Sequence, residues 1–279
     1  MEKNKQLRVF AEEIRVETLY ELAHLGFGHI GGAMSIVELL AVLYGGEMKI
    51  NPADPQWEDR DRLVVSKGHA GPAVYATLAL KGYFPKEMLL TLNQGGTNLP
   101  SHCDRTKTPG IDMTTGSLGQ GMSTAIGVAL GNKLKKSDAY TYLVLGDGEC
   151  NEGQVWEGAM FAPHFKLDHL IAFIDLNKQQ LDGSCDDVMY MGDMVDKWTS
   201  FGWNTVKING HDIDAIVEAI ANAKAQSGKP SMIILDTIKG NGCELAENTF
   251  PCHHVNFKPE QIAPSIEKAE AALEAARKA

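Results

Sequence analysis

The chain has 279 residues, 44% of them hydrophobic, and a formal net charge of −10. That length fits one large domain, residues 1–279, and the acidic balance argues against nucleic acid as a partner. No apolar stretch is long enough to span a bilayer, and the charged, amphipathic first twenty residues hold no signal-peptide core. Five scattered cysteines (Cys103, Cys150, Cys185, Cys243, Cys252) form no CxxC pair, so reduced thiols and a cytoplasmic location are expected.

In chain order, the spacing of apolar residues predicts a helix over 6–25, stopped by Gly26. Gly28-His29-Ile30-Gly31-Gly32 reads as a loop too rich in glycine for a helix interior, with an amphipathic helix following over 35–44. Residues 62–66 read as a buried strand, with Lys67-Gly68-His69-Ala70 at its end and a helix over 71–81. His29 and His69 are each ordinary turn residues singly; two in equivalent places suggest a pocket. Residues 95–121 form a long loop without periodicity, which in a compact domain is either functional or disordered. It contains His102 and ends in Gly116-Ser117-Leu118-Gly119-Gln120-Gly121. The helix expected over 120–135 has Ser123, Gly127 and Gly131 four apart. Glycine costs about 1 kcal/mol in a helix interior, so another backbone should approach this face: the chain's own sheet or that of a neighbouring chain.

Residues 141–183 organise the rest. A strand over 142–145 breaks at Gly146-Asp147-Gly148, a helix follows over 152–164, and a second strand over 170–174 runs out at Asn177. This is a βαβ unit, which implies an α/β fold with an open, mostly parallel sheet and helices on both faces. Asp147 and Asn177 then stand at the carboxyl ends of two strands, where such sheets bind ligands. Two hard oxygen donors there, with a backbone carbonyl just beyond Asn177, suit Mg²⁺ (or Ca²⁺ or Mn²⁺) whose shell a diphosphate completes. Gly-Asp-Gly alone is also an ordinary turn. Beyond this unit, a polar loop is expected over 179–187, a helix over 192–200, a strand over 203–208, a helix over 213–225 capped by Asp212, and a strand over 231–237. An irregular segment over 239–259 holds His253-His254, and a helix over 264–278 closes the chain.

Taken together, GDGECNEGQVWEG, the Asn on its D-x-N-K segment, KGHA, and GSLGQG resemble the thiamine diphosphate-binding part of transketolases, over about residues 6–261. The resemblance implies a cofactor whose thiazolium carbon attacks a ketose carbonyl, while the protein supplies orientation and proton transfer. It assigns the metal to Asp147, Asn177 and the carbonyl of Gln179. Cofactor contacts fall to His69, Gly116, Ser117, Leu118, Asp147, Gly148, Asn177 and His253. His29, His69, His102 and His253 become the proton-handling candidates near the sugar. Glu152 and Glu157 match acids that belong to a subunit interface, and the helix over 120–135 also lies near one in the family.

Three places depart from the family pattern: Ile30 replaces a proline, Ser101 and Cys103 replace the glycine and proline around His102, and His254 replaces a glycine. All three lie beside substrate-facing histidines, which points to an unusual ketose, branched or differently charged. Complete transketolases also carry a pyrimidine-binding and a C-terminal domain. The expected partner is therefore a C-terminal transketolase subunit with those domains, in a heterotetramer of two of each, catalysing ketol transfer in sugar metabolism such as the pentose phosphate pathway. Two other readings are a non-catalytic scaffold and the α subunit of a 2-oxo acid dehydrogenase. KGHA and GSLGQG argue against the latter.

Overall fold

The computed structural model describes residues 2–250 and 252–279. Helix α1 (Glu2–Leu25) leads through the two-residue strand β1 (Phe27–Gly28) into α2 (Ile30–Met34) and α3 (Val37–Val42). Next come β2 (Arg62–Val65), α4 (Gly71–Leu80), α5 (Gln120–Leu134), β3 (Thr141–Gly146), α6 (Gly153–His164) and β4 (Leu170–Leu176). The chain continues through α7 (Cys185–Met189), α8 (Met194–Ser200), β5 (Asn204–Asn209), α9 (Ile213–Lys224), β6 (Ser231–Asp236), β7 (Val255–Asn256) and α10 (Pro259–Lys278).

Five strands form one parallel sheet in the order β2-β3-β4-β6-β5. Successive side chains on a strand point to opposite faces, so an unbroken apolar run needs helices on both sides. Leu63, Val65, Tyr142, Val144, Ile171, Phe173, Ile233 and Leu235 pack with residues of α1, α3, α4 and α9. Their neighbours Val64, Leu143, Leu145, Ala172, Ile174, Met232 and Ile234 pack with α5, α6 and α8. The expected α/β architecture is thus present, and α10 lies along α1. Register aligns the exits of the central strands. Gly146 stands opposite Asp175 and Leu176 opposite Asp236, so Asp147, Asn177 and Thr237 leave one edge of the sheet together.

Five expectations are corrected. Gly31 and Gly32 lie inside α2, not in a loop. A Cβ on Gly31 would sit 2.5 Å from the Cys252 carbonyl oxygen, and one on Gly32 3.1 Å from the His69 ring. Glycine is used there for close approach, and the short helix tolerates it. The helix expected over 35–44 is α3 with a π turn at Leu43–Glu47, separated from α2 by Ser35 and Ile36. The polar loop over 179–187 contains the start of α7, whose N-cap Ser184 accepts from the Asp187 N–H. The segment over 239–259 contains β7, which pairs antiparallel with β1, and α10 begins at Pro259 rather than at 264. Proline is favoured in a first helical turn, which Pro259 occupies, and Pro264 lies inside the helix.

Candidate thiamine diphosphate site

The floor of the site is one buried carboxylate. Asp175, near the end of β4, is wholly inaccessible. Its Oδ2 accepts from Ser35 Oγ (2.7 Å), Lys67 Nζ (2.6 Å) and Asn177 Nδ2 (2.7 Å), and its Oδ1 from Thr237 Oγ1 (2.5 Å). Burial alone would raise its pKa, but the Lys67 ammonium and these donors hold it below the ordinary carboxylate value. Lys67 Nζ also donates to the Gly32 carbonyl at 2.6 Å, so the loop after β2 and the helix after His29 meet on this group.

Above this floor lies a cavity of about 340 Å³, lined among others by Lys67, His69, His102, Asp147, Asn177 and Lys239. Asp147 follows β3, and its carboxylate accepts from the backbone N–H groups of Gly148 (2.7 Å) and Lys178. Burial and the charge of Asp175 push it up to about 6, against the opposing pull of the Gly148 and Lys178 N–H groups and the Lys239 ammonium. Asn177 Oδ1 accepts from the Gln179 N–H at 3.1 Å while its Nδ2 is tied to Asp175, so the oxygen is the atom with capacity to spare. The Gln179 carbonyl accepts from Lys239 Nζ at 3.1 Å, which leaves one of its two lone pairs. Glu149 pins the two phosphate-type loops together: it accepts from the Gly119 N–H (2.8 Å), the Gly146 N–H (2.9 Å) and Ser66 Oγ.

Histidines form the wall. The ring of His29 lies 5.6 Å from that of His69, 5.2 Å from His102, 5.4 Å from His253 and 4.8 Å from His254. The β1–β7 ladder causes this, because Gly28 pairs with Val255 and so brings the residues beside each strand together. Burial and the neighbouring rings of His253, His254 and His102 hold His29 down to about 3. Burial, Lys239 and Lys67 hold His253 down to about 4. His69 is lowered well below its ordinary value by burial and Lys67, and His102 is lowered by burial. These imidazoles are neutral at pH 7 and can accept or donate at either nitrogen.

Nine of the sequence-predicted residues meet on this cavity: His69, His102, Gly116, Leu118, Asp147, Gly148, Asn177, Gln179 and His253. His29 stands beside it and lines an adjoining depression with Ser101 and His254, while the exposed Ser117 is not among the lining residues. Glu152 and Glu157 are exposed, and Glu152 stands on the rim of the same cavity while Glu157 does not line it. Sequence reasoning misses Lys67, Asp175, Gln180 and Lys239. Lys239 is 3% exposed, and its ammonium donates to the Gln179 carbonyl within reach of the Asp147 charge, so it can also take an anionic ligand. Gln180 Nε2 is a buried donor left without a partner. Gly148 lies below it, where an added Cβ would come within 2.8 Å of Gln180 Cβ. A buried ammonium, an orphaned amide and a glycine cradle fit a diphosphate, and one carboxylate, one amide oxygen and one carbonyl fit its hard cation.

Such a sheet edge and cavity define an α/β protein of the thiamine diphosphate-binding class. The family model described as "Transketolase, thiamine diphosphate binding domain" matches residues 7–270. The chain belongs to the transketolase family, whose reaction is ketol transfer. It is 51% identical over 269 residues to the 6-deoxy-6-sulfo-D-fructose transketolase subunit SqwG of Clostridium sp. (strain MSTE9), covering 96% of this chain and 98% of that one. It is 37% identical over 247 residues to one of the subunits of the apulose-4-phosphate transketolase of Phocaeicola vulgatus, covering 88% of each. The transketolase structure from Leishmania mexicana superposes with a TM-score of 0.85 at 29% identity, covering 98% of this chain and 46% of that one. The chain thus spans about half the length of that transketolase but nearly all of the relatives named as subunits.

Proposed function

We propose that this chain, acting as one domain, is the diphosphate- and metal-anchoring subunit of a two-chain cytoplasmic transketolase. Its donor is 6-deoxy-6-sulfo-D-fructose or a closely similar ketose. The observation that carries the anchoring role is the buried ammonium of Lys239 lining one cavity with Asp147 and Asn177 at the carboxyl edge of the sheet. Asp147, Asn177 and the Gln179 carbonyl would hold Mg²⁺; Lys239, Gln180, His69, His253 and the Gly116 and Gly148 backbones would hold the diphosphate. Bound there, thiamine diphosphate supplies the carbon nucleophile that opens a ketose beside its carbonyl. The chain's own part is to orient the ketose and move its hydroxyl protons. Neutral His29, His69, His102 and His253 suit that work, because each offers an N–H donor and a free nitrogen acceptor.

The sulfonated donor rests on the 51% identity over nearly the whole of both chains, and the partner on the naming of those relatives as subunits. A heterotetramer of two chains of each kind is the proposed assembly. All five cysteines are free and buried, in keeping with a reducing compartment. The test is donor consumption by the assembled enzyme with 6-deoxy-6-sulfo-D-fructose against fructose 6-phosphate. We expect kcat/KM at least tenfold higher for the sulfonate. A preference for the phosphate would return the chain to ordinary pentose phosphate chemistry.

A further inference from the structure

Asn177 can offer a cation its amide oxygen only if its amide is held the right way round. Two contacts set that orientation: Oδ1 accepts from the Gln179 N–H at 3.1 Å, and Nδ2 donates to Asp175 Oδ2 at 2.7 Å. The first is a local contact within the turn after β4. The second is anchored in the wholly buried floor, where Oδ2 also takes Lys67 Nζ at 2.6 Å and Ser35 Oγ at 2.7 Å. Lys67 Nζ in turn holds the Gly32 carbonyl at 2.6 Å, three residues after His29. A single carboxylate oxygen therefore joins the amide proposed for the metal to the helix that follows His29.

We propose that Asp175 is a positioning residue: as a fixed acceptor, neutralised by Lys67, it turns Asn177 so that Oδ1 faces the metal site. The inference rests on the metal assignment made above for Asp147, Asn177 and the Gln179 carbonyl. Groups that orient metal ligands in this way typically change metal affinity by about 10–100-fold when removed.

Removing one charge of a buried pair leaves the other uncompensated, whereas replacing both by apolar groups of similar size is often tolerated. The test therefore compares two doubly neutral variants of the full chain in complex with its partner. Asp175→Leu with Lys67→Met leaves Asn177 Nδ2 no acceptor. Asp175→Asn with Lys67→Met keeps a carbonyl oxygen in the same place. Circular dichroism establishes that each is folded, and calorimetry then reads the Mg²⁺ concentration that half-supports thiamine diphosphate binding. We expect the leucine variant to need at least tenfold more Mg²⁺ and the asparagine variant to stay within about threefold of the parent. Equal values for the two folded variants would overturn the proposal, whether both match the parent or both are impaired. If only the asparagine variant folds, a loss of tenfold or more in it would overturn the proposal as well. Asp147→Ala separates this from the underlying metal assignment: it should abolish the Mg²⁺ dependence. Unchanged dependence in Asp147→Ala would overturn the assignment and the positioning role together. A normal leucine variant beside a defective Asp147→Ala would overturn the positioning role alone.

Discussion

At the scale of single residues, adjacent histidines in the last loop have different surroundings. His253 lines the cavity and is half-buried, whereas His254 is exposed, with its ring against His29 and Phe27. His253→Ala should therefore lower kcat/KM on the order of 10²–10⁴-fold and His254→Ala by less than tenfold. Steady-state kinetics with one donor and acceptor decide it, and the reverse order would assign the role to His254. The cluster also fixes a pH dependence. His29 and His253 are held at about 3 and about 4 against an ordinary 6.5. Below about 6.5 the unfolded chain takes up protons that the folded chain refuses. Their contribution to stability is complete above that pH and is lost as pH falls towards 4 and then 3. Denaturant melts of the cofactor-free chain at pH 7, 6 and 5 should show a falling midpoint. The double variant His29→Gln, His253→Gln should show a flatter trend, and parallel slopes would contradict the assignment. His29 and His69 are legible in the sequence because they sit inside short glycine-containing motifs, GHIGG and KGHA. The buried roles of Lys67, Asp175 and Lys239 are not. Asp175 and Lys67 are 108 positions apart, and only the β3 strand between them in the sheet brings their ends together.

At the scale of elements, long apolar runs are readily legible, because a strand buried on both faces needs an unbroken apolar sequence. The two-residue ladder of β1 and β7 is invisible there, since two residues carry no periodicity, yet it is what brings His253 and His254 against His29. Helix α2 is hidden for a different reason: its glycines serve close approach to Cys252 and His69, not flexibility. The glycines of α5 read as either packing on the chain's own sheet or meeting another chain, and the structure separates the two. A Cβ at Gly127 or Gly131 would meet no atom within 4 Å, so neither glycine is required by contacts within the described chain. Gly127→Leu should therefore raise the melting temperature of the isolated chain by about 1–2 °C, since leucine is the better helix former by somewhat under 1 kcal/mol. The same variant should weaken assembly with the partner at least tenfold, as seen by sedimentation. A loss of stability in the isolated chain would show that the face is packed after all, and undiminished assembly would remove α5 from the interface.

At the scale of the whole molecule, the sheet edge presents a cavity lined by Lys239, Asp147 and Asn177, with imidazoles ranged along one side. Two relatives that match most of this chain and most of their own length are named as subunits, and the Leishmania mexicana transketolase structure is about twice as long. Both facts support a reading in which part of the catalytic apparatus lies on a second chain. The isolated chain should then bind thiamine diphosphate and Mg²⁺ weakly and transfer no ketol group. Adding the partner should tighten cofactor binding, and linkage requires the cofactor to tighten partner binding by the same factor. Coupling of this kind is typically about 1–3 kcal/mol, or roughly 5–150-fold. Calorimetry can measure both arms: cofactor affinity with and without partner, and partner affinity with and without cofactor. Linkage makes the two ratios equal, and they should exceed one because the cofactor would touch both chains at once. Unequal ratios would mean that one titration includes a further reaction, such as assembly beyond the heterodimer. Full ketol transfer by this chain alone would sink the two-chain reading, and with it the expectation that Gly127→Leu acts through assembly.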